Sequence, residues 1–413
     1  MRKTTQKKLE KVVQIQKIDL HNDIIPRSQY TMSKDIRFDS EEEEEDIENE
    51  PSQSLKQLID YHKTNKQLFL RIYGYPLDML PVAVCQMRYL QGMSILHCQL
   101  RQLPDNIAAL KKMKHLFLIK NRLSELPNSL TSLKFLQYLD ISDNNINLLP
   151  IDFEHLIQLT DLYMDNNTFS VLPAAVTLLP KLIRFSIAGN QLTTLPEVLH
   201  NWKKLTRLNL SKNKLSELPP AFEAMTRLEW LDLSENGFRF VPQPILKLPK
   251  MELLFLRGCQ LADLPEEFSN LKTLQVLDIS NNPFYGGKIP NVIFKLTALE
   301  ELIISDCGLQ SLCEDDLFRL KNLSIIRAQN NKIRYISRKL AKLPLLEHLM
   351  LDNNPLEYVA PEIKQMNSLY QCDITEVNTA FKNHLDKNLL DTYEPEVLAI
   401  REKYGMDKRR SFM

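Results

Sequence analysis

Glycine is scarce in this chain of 413 residues, which contains only nine. None belongs to the glycine-rich loop that cradles nucleotide phosphates, and the GxSxG and HExxH motifs are missing as well. The eight histidines are scattered along the chain rather than clustered. These absences argue against nucleotide-binding, serine-hydrolase and zinc-protease active sites. The sequence therefore predicts a protein that is not an enzyme, with no catalytic residues and no cofactor.

An excess of one charge and long apolar runs are also missing. Lysine plus arginine number 52 and aspartate plus glutamate number 52, so the formal net charge is zero. That balance argues against a general polyanion binder, and we expect no nucleic-acid partner. No apolar run approaches the ~20 residues that a membrane-spanning helix needs. The charged segment 1–21 lacks the uninterrupted apolar core of a secretory signal, so we expect neither a transmembrane segment nor secretion.

What the chain does contain is a repeated unit of 23 residues. It is clearest in the stretch LTRLNLSKNKLSELP, Leu205 to Pro219, and the closing proline returns every 23 residues from Pro81 to Pro265. Together with the less regular copies that follow, residues 81–376 hold about thirteen repeats. Stacked repeats share one continuous core, so the length of the chain does not by itself divide it into globular domains.

The residues of the unit have separate physical roles. In LxxLxL the leucines alternate with period two, so they point into the core from a short parallel strand while the intervening residues point outward. An asparagine follows where the strand must turn, as Asn213 does, and its buried amide is expected to satisfy backbone groups of its own and neighbouring turns. The proline and the apolar positions after it indicate short helical or irregular turns on the opposite side.

The pattern LPxxLxxLxxLxxLxLxxNxL resembles the leucine-rich repeat family over about 310 residues. It is similar to the intracellular Ras-group subclass, which includes scribble, erbin and the plant Ras-group-related proteins. The resemblance implies an α/β solenoid: a horseshoe with a concave parallel β-sheet, short helices or turns on the convex side, and helical caps at both ends. It also implies a protein partner, with a small GTPase among the candidates, although fold-level analogy does not choose one.

The cysteines fit the repeat rather than a disulfide or metal framework. No CxxC or Cys/His spacing suggests zinc, so we expect no metal site. They do not cluster before or after the repeats, where secreted solenoids usually carry disulfide caps, which favours a reduced, cytoplasmic location. Cys98, Cys259 and Cys307 occupy the asparagine slot, Cys372 a leucine slot, Cys313 a proline slot, and Cys85 the convex side of the first full repeat.

Segments of different composition flank the repeats. Residues 1–50 contain an unbroken acidic block, Glu41 to Asp46, and are predicted to be disordered. Residues 51–80 are interpreted as an N-terminal cap made of a helix, with Ser52 as its capping residue, and half a repeat. Residues 377–405 are predicted to form a helical C-terminal cap, and 406–413 a basic tail.

Two outward positions flank the middle leucine of each strand, and we expect them to bind a partner. One row runs from His115 to His348 and the other from Leu96 to Met350. Aromatic and arginine side chains are typical interface anchors, and a step from acidic to basic residues would orient a partner. The alternative is that neighbouring aromatic rings pack against one another along the sheet. The predicted partner-binding residues are Phe117, Tyr138, Asp140, Asp161, Tyr163, Arg184, Arg207, Trp230, Asp232 and Phe255.

A second candidate site lies in the N-terminal segment. Lys34, Ile36 and Phe38 resemble the basic-x-Val/Ile-x-Phe docking peptide of regulators of type-1 protein phosphatase. Such a peptide adds a strand to a sheet edge and buries alternate side chains. The alternative is a linker without a partner, because this short pattern also arises by chance.

The sequence therefore predicts an intracellular, non-enzymatic adaptor or scaffold that binds a protein on the concave face, in a signalling role. The alternative is a structural component of a larger cytoskeletal or ciliary assembly, in which the convex and lateral surfaces would matter as much as the concave one.

Overall fold

A computed structural model of the chain describes residues 54–199, 201–312, 316–366, 368–369 and 371–373. The chain divides into two compact units, Met1–Asn65 and Lys66–Met413. That division falls inside 51–80, so the boundaries of the N-terminal cap stay a prediction. Segments 1–50, 377–405 and 406–413 lie outside the described residues, as do Lys34, Ile36 and Phe38.

In the first unit the described residues form one helix, α1, Leu55–Asn65. The Ser54 hydroxyl accepts a hydrogen bond from the backbone N–H of Gln57 at 3.4 Å, and Gln57 Oε1 accepts one from the N–H of Ser54 at 3.0 Å. This reciprocal pair is a capping box. The capping residue is thus Ser54 rather than Ser52, because only Ser54 has a glutamine three residues later.

In the second unit, parallel strands stack in sequence order into one sheet of fourteen strands. Each described pair joins equivalent residues of successive repeats, such as Leu208 and Leu231. The predicted solenoid with a parallel sheet is confirmed. Its strands are β1 (Phe69–Tyr73), β2 (Gly92–Leu96), β3 (His115–Phe117), β4 (Tyr138–Asp140), β5 (Asp161–Tyr163), β6 (Arg184–Ser186), β7 (Arg207–Asn209), β8 (Trp230–Asp232), β9 (Leu253–Phe255), β10 (Val276–Asp278), β11 (Glu301–Ile303), β12 (Ile325–Arg327), β14 (His348–Met350) and β16 (Gln371–Asp373), while β13 (Tyr335–Ile336) and β15 (Tyr358–Val359) form a separate parallel pair.

Short helices connect the strands, as the sequence predicts, and helices of neighbouring repeats pack together in a second layer. In the described part of the chain, no helix is long and apolar enough to span a membrane. The α-helices of the second unit are α2 (Val82–Cys85), α3 (Ala174–Thr177) and α4 (Pro361–Lys364). The 3₁₀ helices are Asp105–Ala109, Asn128–Ser132, Phe153–His155, Trp202–Lys204, Pro220–Ala224, Gln243–Lys247, Glu266–Asn270, Tyr285–Gly287, Asn291–Lys295, Leu317–Arg319 and Arg338–Lys342.

The asparagine of each repeat joins two neighbouring repeats. Asn213 Nδ2 donates to the carbonyl oxygens of Leu210 and Ser211 in its own turn and to that of Ile187, 26 residues earlier. Its Oδ1 accepts a hydrogen bond from the N–H of Leu192, 21 residues earlier, at 3.0 Å. The prediction of a buried amide ladder is confirmed, because the side chain completes both its own turn and the preceding one.

Cysteine fills the asparagine slot by a different arrangement of bonds. Cys98 is fully buried, and its Sγ donates to the carbonyl of Leu96 at 3.1 Å. Its own carbonyl accepts the N–H of Leu77 at 2.7 Å, so the backbone takes the acceptor role that an asparagine Oδ1 plays elsewhere. Burial raises the pKa of Cys259 and of Cys307 to about 12, which keeps these thiols protonated as weak donors.

The position of Leu96 in the inner row was predicted wrongly. Ser94, not Leu96, pairs with Phe117. The inner position lies four residues before the ladder residue, which is Cys98 in this repeat, whereas Leu96 lies only two residues before it. Both positions point to the same side because strand residues alternate, so the apolar pattern alone did not separate them.

Candidate protein-binding face

The outward residues of the strands form two rows on what we call the sheet face. In the strands of three residues, the first residue belongs to the outer row and the third to the inner row. Apart from Leu96, the predicted rows are confirmed: His115 pairs with Tyr138 in the outer row, and Phe117 pairs with Asp140 in the inner row. All ten predicted partner-binding residues therefore lie on this face, but they differ in exposure.

Three of the predicted aromatic residues pack against each other. The ring centroids of Phe117 and Tyr138 are 4.7 Å apart, and those of Tyr138 and Tyr163 are 5.3 Å apart. Tyr138 is 7% exposed and Tyr163 5%, and Asp140, in the inner row between Phe117 and Tyr163, is 0% exposed. Packing along the sheet, the alternative that the sequence allowed, accounts for this group. Little of it is left for a partner to touch.

The predicted step from acidic to basic residues is partly an internal ion pair. Arg184 Nε bonds to Asp161 Oδ1 on the adjacent strand. The Asp161 side chain is 7% exposed and that of Arg184 30%. These two charges offset each other, so they contribute less to the field felt by a partner than the sequence suggests.

The sheet face is more open over β7 to β9, whereas the outward residues of β10 and β11 are buried. Arg207 is exposed, and Trp230 and Phe255 are each only half-buried, with ring centroids 5.5 Å apart. The other tryptophan, Trp202, is fully buried in the core, where its Nε1 donates to the carbonyl of Val176 at 3.2 Å. Trp230 and Phe255 therefore form an aromatic pair on this face with surface available for contact, and Phe117 is likewise half-buried.

Inner-row aspartates have a structural role that the sequence analysis missed. Asp140, Asp232 and Asp278 each accept, through Oδ1, the N–H of the serine two residues later, at 3.0, 2.9 and 2.9 Å. Asn209 makes the same bond at 3.0 Å. The bond fixes the turn at the end of the strand. The recurring Asp/Asn-x-Ser spacing in the printed sequence is the signal that could have revealed it.

Two carboxyl groups of this face are held in surroundings that disfavour charge. Burial raises the pKa of Asp232 to about 6, opposed by its hydrogen bonds to Ser234 and reinforced by the charges of Asp278 and Glu235. Burial likewise raises the pKa of Asp278, with Glu301 adding to the rise and Arg257 opposing it. Asp232 and Asp278 therefore repel one another across the intervening strand β9, and Asp278 and Glu301 repel one another on adjacent strands.

Glu301 has one satisfied and one unsatisfied oxygen. Its Oε1 accepts a hydrogen bond from Arg327 Nε at 2.7 Å, and the two side chains are 3% and 13% exposed. Its Oε2 is buried and has no hydrogen-bond partner among the described residues. One arginine thus leaves part of this carboxylate uncompensated.

Away from the sheet face, three potential metal ligands lie close together. Asp152, Glu154 and His155 place ligand atoms within 4.8 Å of one another, and two of the three residues are exposed. Exposed acidic groups of this kind are common without a bound ion, and nothing else in the described part of the chain points to a metal there.

Comparisons with known proteins all point to one repeat architecture. The leucine-rich repeat family matches residues 157–215, 180–238 and 203–261, and again 135–156 and 273–296. A leucine-rich repeat protein of Leptospira interrogans shares 32% identity at a TM-score of 0.67, covering 71% of this chain and 74% of that one. No curated protein matches the sequence.

More distant structures share the fold alone. An internalin of Listeria monocytogenes has 16% identity and a TM-score of 0.64, covering 76% of this chain and 89% of that one. The ectodomain of an Arabidopsis thaliana membrane receptor kinase, solved in complex with Casparian strip integrity factor 2, has 23% identity and a TM-score of 0.54. That match covers 73% of this chain and 40% of the receptor chain.

Proposed function

This chain belongs to the leucine-rich repeat family, whose repeats are protein-binding scaffolds, and on that basis we propose that it is a non-enzymatic adaptor. It binds a protein partner on the sheet face, within the cytoplasm and in a signalling role. The Ras-group subclass is part of the proposal and rests on the repeat consensus. A small GTPase and a type-1 protein phosphatase are the candidate partners, the latter through Lys34, Ile36 and Phe38.

One observation carries this proposal: the half-buried aromatic pair of Trp230 and Phe255, with exposed Arg207 on the next strand. Rings packed inside the stack of Phe117 and Tyr138 are explained by the stability of the sheet. Trp230 packs against Phe255 and still stays half-buried, and aromatic and arginine side chains dominate the binding energy of protein interfaces. A partner that covers Trp230 and Phe255 would complete their burial.

A structural role in a cytoskeletal or ciliary assembly is the second proposal, and exposed apolar residues outside the sheet rows favour it. Leu148, Ile151 and Val171 are 72%, 73% and 66% exposed, and Phe240 is 82% exposed. Apolar surface of this extent, on the neighbouring repeats of Leu148 and Val171 and again three repeats later at Phe240, is suited to lateral packing in a larger complex.

Affinity capture from a cell lysate with matched variants separates the two roles. The full chain is compared with Trp230→Ala/Phe255→Ala and with Leu148→Ser/Val171→Ser, after circular dichroism has verified that all are folded. The adaptor proposal expects a dominant partner to be lost with the first pair of changes and retained with the second. Loss with the second pair alone would overturn it in favour of the structural role.

A further inference from the structure

The strands that follow Arg207 carry an unbalanced negative charge. In the outer and inner rows of β8 to β12, Asp232, Asp278 and Glu301 oppose only Arg327, which leaves a formal charge of −2 from three carboxylates and one guanidinium. In the same rows of β4 to β7, two aspartates balance two arginines. The charge of the sheet face therefore changes along the stack, although the whole chain is neutral.

The residue directly before each strand changes in the same direction. Before β4 to β7 these residues are uncharged, whereas glutamates precede three of the four strands β8 to β11. Each of the three glutamates is half-buried beside the sheet face. They are Glu229, Glu252 and Glu300.

Aromatic and acidic side chains alternate at the centre of this region. Phe255 lies in the inner row between Asp232 and Asp278, on adjacent strands about 4.8 Å apart. Trp230 contacts Phe255 from the outer row. A planar cation stacked on these rings would lie within reach of both carboxylates, and ring faces attract cations.

Uncompensated carboxylate oxygen is the second, independent sign of a missing cation. Glu301 is 2% exposed and lies diagonally across from Asp278 on the next strand, and its Oε2 has no hydrogen-bond partner among the described residues. Burying an ionised oxygen without a partner is costly, and a cationic group is what relieves that cost. Burial, followed by the charges of neighbouring carboxyl groups, raises the pKa values of Asp232 and Asp278 on the same face.

We propose that Trp230, Asp232 and Phe255, backed by the buried carboxyl groups of Asp278 and Glu301, form an acid–aromatic site that receives an arginine side chain from a basic segment of the protein partner. The inference rests on the proposed adaptor function and adds the chemistry of the partner to it. Arginine fits better than lysine because its flat guanidinium stacks on a ring while donating sideways to two carboxylates. Charge complementarity, rather than apolar area, selects the partner at this end of the sheet.

A peptide titration of the full chain tests this site. Hexa-arginine, hexalysine and hexaglutamate contain no aromatic residue, so binding is followed by the fluorescence of the protein. Trp230→Phe identifies the part of the signal that comes from Trp230, since the other tryptophan is buried in the core. We expect hexa-arginine to change the Trp230 signal and to bind about tenfold or more tightly than hexalysine at low salt, while hexaglutamate gives no response.

Matched variants decide whether the binding is local. Asp232→Asn/Asp278→Asn keeps the turn-forming oxygens, as Asn209 shows on the adjacent strand. Asp140→Asn is the control, because Asp140 makes the same bond in the same row but lies on β4, four strands away from β8 and its Trp230. We expect hexa-arginine affinity to fall about tenfold or more in the double variant, as two charge-assisted contacts are lost, and less than about twofold in the control. Equal affinity in both, or equal loss in both, overturns the site.

The result of the peptide titration can be separated from the result of the affinity capture that tests the adaptor proposal. If capture of a partner depends on Trp230 and Phe255 while hexa-arginine binding ignores Asp232 and Asp278, the adaptor function stands and the arginine chemistry is wrong. If hexa-arginine binds through the two aspartates but no captured partner depends on the sheet face, the acid–aromatic site stands and the adaptor function falls.

Discussion

Asn209 and Asp232 lie side by side on adjacent strands, and each uses its side-chain Oδ1 to accept the N–H of the serine two residues later. One of the two side chains is neutral and the other ionisable, yet the bond is the same within 0.1 Å, at 3.0 and 2.9 Å. The turn therefore needs the oxygen and not the charge. The negative charge of Asp232 is therefore not needed to form the turn.

The stability of the protein should respond to pH through Asp232. Its pKa is raised from 3.8 to about 6 in the folded state. At pH values between these two, the folded chain therefore binds more protons than the unfolded chain. This contribution is fully present below the unfolded pKa and is lost as pH rises through about 6. Asp232→Asn keeps the bond without the charge. Its unfolding free energy relative to the parent should rise by roughly 1–3 kcal/mol between pH 4 and pH 7.5, as urea denaturation would measure.

The control for this prediction is Asp105→Asn, which changes an exposed carboxylate on the helical side of the solenoid. Its stability difference from the parent should stay nearly constant over the same pH range. If the unfolding free energies of Asp232→Asn and the parent changed in parallel with pH, ionising Asp232 would carry no cost in the folded state, and the prediction would be wrong.

Leu208 should be one of the costly positions in the core. It is fully buried at the centre of β7, so Leu208→Ala leaves a cavity and should lower the unfolding free energy by about 2–5 kcal/mol. Arg207→Ala, next to it on the exposed side, should change stability by less than about 0.5 kcal/mol. Similar losses in both variants, measured by urea denaturation, would contradict the two-sided strand.

Asn213 should stabilise two repeats at once. Asn213→Ala removes the two N–H donors that three carbonyl oxygens share and one accepted bond, and leaves their backbone partners buried, so we expect a loss of at least about 2 kcal/mol. The comparison variant is Asn201→Ala, whose exposed side chain makes one long bond of 3.4 Å. If thermal unfolding placed the two variants at the same stability, the buried amide ladder would not contribute as the geometry indicates.

Four buried cysteines should resist alkylation in the folded protein. Cys85, Cys98, Cys259 and Cys307 are buried, and burial raises each thiol pKa, to about 11 for Cys85 and about 12 for Cys259 and Cys307. The thiolate is the reactive form, so iodoacetamide at pH 8 should modify these sites only after unfolding. Mass spectrometry of the digested protein would assign the sites. Rapid modification of Cys259 in the native protein would mean that its repeat opens.

The strand register followed from the sequence because one physical rule repeats in every copy. Leucine at alternate positions and asparagine at the turn define which residues face outward, and the pairing of Trp230 with Leu253 confirms this. The rule gave the wrong residue at Leu96, because Leu96 and the correct residue, Ser94, lie on the same side of the longer strand β2. Which residues of a strand face outward depends on its own repeat alone, and could therefore be predicted from the sequence.

The exposure of each side chain on the sheet face could not be predicted from the sequence in the same way. Whether Tyr163 is open or covered depends on Tyr138 on the next strand, 25 residues away in the sequence and 5.3 Å away between ring centroids. The burial of Asp161 likewise depends on Arg184. Such contacts arise from the lengths and directions of side chains on neighbouring strands, which a pattern of single letters does not contain.

The 26-residue and 21-residue reach of Asn213 has a consequence for how such a protein changes size. Each repeat supplies the bonds that finish its predecessor, and these bonds persist where a repeat is longer: residues paired between β10 and β11 are 25 apart, and Cys307 Sγ still reaches the carbonyl of Ile279, 28 residues earlier. Whole strands with their turns, rather than a fixed number of residues, are therefore the units that can be inserted or removed. The acidic strand β8 lies three strands beyond the Asp161 strand, a separation of about 14 Å along the stack. That separation can be altered only in discrete increments of about 4.8 Å, which makes the number of repeats a ruler for the spacing of contacts on a partner.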